Sequence, residues 1–212
     1  MPLKKISASA SFPTPIFWFQ VPDAEQLNAD LVKDTLAMRA TSEGVRRSNQ
    51  KGWHSESDLF RRPEASFKIL TRSIREAVYE VTKKLAPKYE LEGRQVASEG
   101  WVNVNEKGAY NTPHRHPGFV WSGCYYVQVP ANPSGRSGEI EFIDPRARDA
   151  GLTLGDCEAF SSKIQHRPQA GLLVLFPSYL LHWVYPNEES EDRISIAFNV
   201  RFGELKNAAG PA

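Results

Sequence analysis

Cysteine is nearly absent: Cys124 and Cys157 are the two in 212 residues, and neither sits in a CxxC pair. That excludes a disulfide framework and leads us to expect two free thiols in a reducing cytoplasm. A surplus of charge is also missing. Twenty-six Lys and Arg face 25 Asp and Glu, for a formal net charge of +1. A chain whose main partner is nucleic acid usually carries a basic excess, so no nucleic-acid partner is expected. No long hydrophobic run occurs. The longest, Gly171 to Tyr185, contains Pro177, Ser178 and His182 and is too short to span a bilayer. No charged-then-apolar leader with a small-residue cleavage site opens the sequence, so we expect a cytoplasmic protein with no membrane partner. What remains is ordinary: 41% apolar and 24% charged residues, with five Trp and eleven Phe. Such a composition excludes disorder, collagen and coiled coil, and supplies a large aromatic core.

The order of patterns suggests one domain over residues 1–212, helical in 1–95 and β-rich in 96–205. An extended N-terminal segment with Pro13, Pro15 and Phe17-Trp18-Phe19 closes on an apolar surface. A helix then starts at Asp23 as N-cap, with Gln26 three residues on and Leu27, Leu31, Val32 and Leu36 at helical spacing. Residues 42–62 are polar and read as a surface loop. Phe67, Leu70, Ile74, Val78, Val81 and Leu85 step by three or four and define the clearest helix, which Pro87 ends. From about Val96 the period falls to two. Residues 101–105, 119–129, 138–143, 171–176 and 193–202 all read as strands. The last alternates cleanly, with Ile194, Ile196, Phe198, Val200 and Phe202 on one face and Arg193, Ser195, Ala197, Asn199 and Arg201 on the other. Helices followed by many short strands predict an α+β fold. Its second half is expected to be a small antiparallel sandwich or jelly roll, with the amphipathic helices packed on one sheet.

Five histidines occur, and three sit in unusual settings. In Pro113-His-Arg-His-Pro117, an extended backbone would point His114 and His116 to the same side, within reach of one metal. His182 follows a strong strand and supplies a distant third imidazole, a pattern that leaves coordination positions open. The bland alternative is that these are loop histidines or hydrogen-bonded core histidines. Eleven residues beyond His182 comes Arg193 on the non-apolar face, with Ser195 two positions on. A guanidinium inside a small barrel needs an anion, and its planar fork suits a carboxylate. The alternative here is an internal salt bridge to Glu139 or Glu141. His54 and His166 are expected not to be ligands: His54 with Trp53 would line an entrance, and His166 would be solvated. Cys124 shares strand parity with Tyr126 and would fill a small core gap.

The order His114-x-His116, His182, Arg193-x-Ser195 resembles that of Fe(II)/2-oxoglutarate-dependent oxygenases. Gly108-Ala-Tyr-Asn111, His114 to Gly118, Trp121 to Val127, Phe142 to Arg146, Leu175-Phe-Pro-Ser178 and Arg193 to Asn199 resemble a bacterial and phage group of these enzymes related to prolyl hydroxylases. The resemblance implies a hydroxylating dioxygenase whose core is a double-stranded β-helix (jelly roll, cupin-like), with Fe(II) on His114, His116 and His182. It implies 2-oxoglutarate held by its distal carboxylate on Arg193, with Ser195 and Tyr126 assisting. Asn103, with Asn105 on the same side of its strand, is the candidate for the other end of the cosubstrate. One departure stands out: the broad superfamily has a carboxylate where this chain has His116, which leaves the ligand set neutral. His116 is then either a ligand or a supporting residue, with Asp144 the alternative acid unless it ends a strand. The substrate would be a small molecule or a peptide, and a second copy of the chain, in a homodimer, would be the protein partner. The rival readings are a three-histidine cupin-type dioxygenase without cosubstrate and a non-catalytic jelly-roll binding module.

Overall fold

The computed structural model describes residue 7 and residues 12–146 and 161–205. Cys157 lies outside them, so of the two thiols only Cys124 is described, and it is free. In chain order the elements are β1 (Phe17–Gln20), α1 (Ala24–Ala40), β2 (Asn49–Gln50), β3 (Trp53–His54), a 3₁₀ turn (Leu59–Arg61) and α2 (Ala65–Leu85). There follow β4 (Arg94–Asn105), β5 (Tyr110–His114), β6 (Trp121–Gln128), β7 (Ile140–Ile143), β8 (Lys163–His166), β9 (Leu172–Pro177), β10 (Leu181–Val184) and β11 (Arg193–Leu205).

The strands form two antiparallel sheets. One has the order β1-β9-β6-β11-β4-β3 and the other β2-β5-β10-β7-β8. From β4 to β11 the chain crosses from sheet to sheet, with one same-sheet step from β7 to β8, and this winding is the expected double-stranded β-helix. The short strands β1, β2 and β3 extend its edges.

The alternation read in residues 193–202 decides what lies on either side of β11. Ile194, Ile196, Phe198 and Val200 join one buried cluster with Leu31 of α1 and Phe67, Leu70, Ile74, Val78 and Val81 of α2. Full burial of each such side chain is worth roughly 1.5–3 kcal/mol, which fixes the helices against this sheet. The opposite face of β11 is left to the interior between the sheets, where a second cluster gathers Tyr126, Ile140, Phe142, Val174, Phe176, Leu180 and Val184. Among the described residues no helix is long and apolar enough to cross a membrane.

Three local expectations need correction. Asp23 does stand at the start of α1, but its backbone is left-handed (φ 50°) and its side chain makes no capping bond. Leu36 and Leu85, the latter the last residue of α2, keep the helical spacing yet are 46% and 49% exposed. The segment 42–62 is not a surface loop. Its β3 pairs with β4, Trp53 opposite Val104 and His54 opposite Asn103, and both side chains are buried. Pairing of two-residue strands rests on the neighbouring sheet edge, which a polar local sequence does not announce.

Candidate functional site

Register brings the first two histidines together. His114, at the end of β5, lies directly opposite His182 of β10. His116 lies beyond the strand, where the chain turns at Pro117-Gly118 with Gly118 at φ 87°. Its N–H bonds the carbonyl of Ser178 at 3.0 Å and holds the segment against the end of β9. One nitrogen from each of His114, His116 and His182 falls within 4.8 Å of the others. The three histidines therefore form one cluster rather than lying scattered over separate loops.

The rings are pre-oriented. His114 Nδ1 bonds the Thr112 carbonyl at 2.6 Å and His182 Nδ1 the Leu180 carbonyl at 2.9 Å, so both rings keep Nε2 free as a lone-pair donor. Phe176 and Phe142 flank His182, with ring centroids 4.8 and 6.2 Å away. Burial, reinforced by the neighbouring imidazoles, pushes His182 down to about 3 and His116 down to about 4; burial also lowers His114. At neutral pH the cluster is three neutral imidazoles, a donor set that suits a divalent transition metal.

These shifts fix the sign of a pH effect. Below about pH 6.5 the unfolded chain's imidazoles take up protons that the folded ones refuse, so the unfolded state binds more protons and stability falls as pH falls. Metal-free protein should lose stability progressively from pH 6.5 toward pH 4, on the order of 1–2 kcal/mol each for His116 and His182 by pH 5, with His114 acting in the same direction. Urea unfolding midpoints at pH 7, 6 and 5 measure this, and a flat profile would contradict the neutral, buried cluster.

The inward faces of β6, β11 and β4 form cross-strand rows. Ser122, Asn199 and Glu99 make one, and Tyr126, Ser195 and Asn103 another, with Arg193 opposite Asn105 beyond them. Arg193 is 2% exposed. Its guanidinium donates to Ser195 Oγ at 3.1 Å and lies 5.2 Å from the centre of the Tyr126 ring, while its Nε has no partner. The salt-bridge alternative fails, because Glu139 pairs with Arg167 and Glu141 with Lys163 and Arg136. Glu141 also accepts from Trp183 and Tyr185. The Tyr126 hydroxyl and the side-chain oxygens of Asn103 and Asn105 are likewise buried without partners. Burial raises the Tyr126 pKa, so its hydroxyl stays neutral. A buried, unpaired cation ringed by unsatisfied polar groups is expensive unless an anion completes it. Gly138 makes room for it: at φ 67° it approaches so closely that an added Cβ would lie 2.9 Å from Arg193 Cδ.

Next to this interior lies an outer cleft of about 300 Å³, whose lining includes His114, His116, His54, Trp101, Glu99 and Arg47. His54 is stacked on Trp101 (5.2 Å, 13°) and stands outside the three-imidazole cluster, as expected of a lining residue. Trp53 does not line the cleft. It is packed in the core, with Nε1 donating to the Ser42 carbonyl at 2.9 Å. His166 is half-buried rather than fully solvated: it sits in β8 and stacks on Trp18 at 3.7 Å. Asp144 is no part of the cluster, and its carboxylate accepts from the Arg146 backbone and guanidinium, as a strand-ending turn would have it. Cys124 lines the inner cavity next to Tyr126. Sequence reading missed Glu99, Ser122 and Ser178 around Asn199. Glu99 shares strand parity with Trp101, Asn103 and Asn105, a signal that was available. A second cleft, about 310 Å³ between α2 and the ends of β4 and β11, is lined by Phe60, Ile74, Val78, Tyr79, Val96 and Phe202 among others and contains no cluster of metal-ligating groups.

Residues 99–199 match the family described as "Putative 2OG-Fe(II) oxygenase". No curated protein matches the sequence. Among solved structures, a prolyl-4-hydroxylase from Pseudomonas putida is similar at TM-score 0.62 and 16% identity, over 88% of this chain and 91% of that one. A prolyl hydroxylase from Trichoplax adhaerens, in complex with a peptide fragment of the hypoxia inducible factor oxygen degradation domain, gives TM-score 0.65 and 14% identity over 93% and 87%. HygX from Streptomyces hygroscopicus, with nickel and 2-oxoglutarate bound, gives 0.54 and 12% over 88% and 82%. At these identities the likeness is one of fold, and the fold is the double-stranded β-helix found here.

Proposed function

We propose that this chain, whose residues 99–199 match the 2OG-Fe(II) oxygenase family, hydroxylates a small-molecule or peptide substrate, with Fe(II) held by His114, His116 and His182 and the distal carboxylate of 2-oxoglutarate held by Arg193. The observation that carries this reading is Arg193 itself, a buried guanidinium whose Nε has no partner and which no carboxylate among the described residues pairs. A cosubstrate with a terminal carboxylate supplies the missing anion in bidentate geometry. Ser195 Oγ, 3.1 Å from the guanidinium, holds its fork in place, and the neutral Tyr126 hydroxyl adds a donor. Asn103 offers a further polar group on the same wall.

When bound, iron and 2-oxoglutarate would together supply O₂ activation coupled to decarboxylation of the cosubstrate. The protein's own tasks are to orient and to exclude water. The Thr112 and Leu180 carbonyls fix the rings of His114 and His182, so that metal capture needs little rearrangement of either. Phe142 and Phe176 shield the inner side of His182. The cleft bounded by His54, Trp101, Glu99 and Arg47 opens beside His114 and His116, where a substrate carbon would be presented. With His116 in place of a carboxylate, the ligand set carries one negative charge fewer, which favours an anionic cosubstrate.

Proton NMR of 2-oxoglutarate incubated aerobically with the Fe(II)-loaded protein tests the reading. Slow, iron-dependent formation of succinate is expected even without substrate. If 2-oxoglutarate neither binds nor turns over, the cosubstrate-free dioxygenase or the binding module takes its place.

A further inference from the structure

The three imidazoles are not supported alike. His114 and His182 turn Nδ1 to main-chain carbonyls, which only accept, so each ring carries its proton there and keeps a lone pair on Nε2. His116 Nδ1 instead faces the side-chain nitrogen of Asn199, at 3.2 Å. The direction of that amide is set by its other neighbours. Asn199 Nδ2 donates to Glu99 Oε1 at 2.9 Å, and Oδ1 accepts from Ser122 Oγ at 2.7 Å. Turned over, the amide would set Oδ1 against a carboxylate oxygen with no proton between them. Asn199 therefore donates toward His116, whose Nδ1 accepts. A neutral ring in that state carries its proton on Nε2 and has no lone pair there for a metal.

We propose that Asn199 is the positioning residue of His116: in the metal-free site its Glu99-held amide keeps His116 in the non-ligating tautomer, and metal capture through Nε2 turns the amide so that Oδ1 accepts from Nδ1–H. The proposal rests on the reading of the three histidines as a metal site. The proton inventory balances, since one proton leaves Nε2, one arrives at Nδ1, and the ring stays neutral. The turn also leaves the serine pair beside it satisfied. Ser122, Asn199 and Glu99 are direct cross-strand neighbours on β6, β11 and β4, so the amide rotates without a shift of backbone. Ser122 Oγ is 2.8 Å from Ser178 Oγ, and a hydroxyl pair can reverse direction. After the turn Asn199 Nδ2 donates to Ser122 Oγ, which donates to Ser178. Glu99 loses its donor and is released to the cleft that it lines with Arg47. Metal loading and the charge of the substrate cleft are then linked through one side-chain amide.

Two measurements on the full chain decide this. Long-range ¹H–¹⁵N correlation spectra of the metal-free protein, with the His116 signals assigned by their loss in His116→Gln, should show Nδ1–H tautomers for His114 and His182 but Nε2–H for His116. Co(II) titration of wild type, Glu99→Gln and Asn199→Asp then reads the coupling. Gln at 99 tolerates the turned amide, and Asp at 199 presents only acceptors to Nδ1–H. Both variants should bind Co(II) about tenfold more tightly, at the lower end of what supporting residues of metal ligands contribute. An Nδ1–H tautomer at His116 in the metal-free wild type overturns the proposal. So does Co(II) affinity within twofold of wild type in both variants, while wild-type binding itself leaves the metal reading standing. A wild type that binds no Co(II) ends both.

Discussion

Replacing His182 by alanine will abolish stoichiometric Fe(II) binding. The cluster has three donors within 4.8 Å and no carboxylate among them. Losing one leaves two neutral imidazoles, too few to compete with water for a divalent ion that open catalytic sites hold with three protein ligands. The loss should exceed the roughly 10–100-fold effect of removing a residue that merely supports a ligand. His182 is also the best buried of the three, with its ring between Phe142 and Phe176. A control is therefore needed for damage to packing, and His54 provides it. That ring is also buried and lines the adjoining cleft, yet lies outside the cluster, so His54→Ala should keep its metal. Anaerobic equilibrium dialysis with iron analysis measures both variants. Wild-type metal content in His182→Ala would show that the ion, if any, is held elsewhere.

Arg193→Ala will weaken 2-oxoglutarate by about 2 kcal/mol, roughly 30-fold in Kd, and change iron affinity little. A charge-assisted bidentate pair in a buried setting carries more than a neutral hydrogen bond, and truncating one partner leaves the other desolvated and alone. Arg193→Lys should recover only part, because a point charge cannot reproduce the fork that Ser195 holds at 3.1 Å. Titration of 2-oxoglutarate into the Fe(II)-loaded proteins, followed by the visible charge-transfer band, gives the three affinities. A second readout separates function from folding. The wild-type guanidinium is buried without a carboxylate, so its removal relieves a desolvation cost, and the cosubstrate-free variant should unfold at no lower urea concentration than wild type. Equal 2-oxoglutarate affinity in all three proteins would remove the reason for assigning a 2-oxoglutarate site.

Much of the framework was written in local periodicity. The three-and-four spacing from Phe67 to Val81 is enough to specify α2 and its buried face. The alternation from Ile194 to Val200 specifies β11, its helix-facing side and the inward side that holds Arg193, Ser195 and Asn199. A period is a property of one segment, so it survives without knowledge of the partner. His114-x-His116 was legible only in part, because β5 ends at His114 and the Ser178 carbonyl holds His116 in place beyond it. Other features depended on which segments meet. That His182 stands opposite His114 follows from the register of β10 on β5. That Arg193 has no carboxylate follows from where Glu139 and Glu141 find their cations. Neither can be read from spacing, because cross-strand register is set by the sum of pairings over a whole sheet. The polar segment 42–62 became β2 and β3 for the same reason: existing edges recruited strands too short to carry a period. His166 was drawn from solvent onto Trp18 by the pairing of β8 with β7. Asn199 shows the division within one residue. Its inward direction belongs to the alternation of β11, but which end of its amide faces His116 was decided by a carboxylate 100 positions away in sequence, on the neighbouring strand.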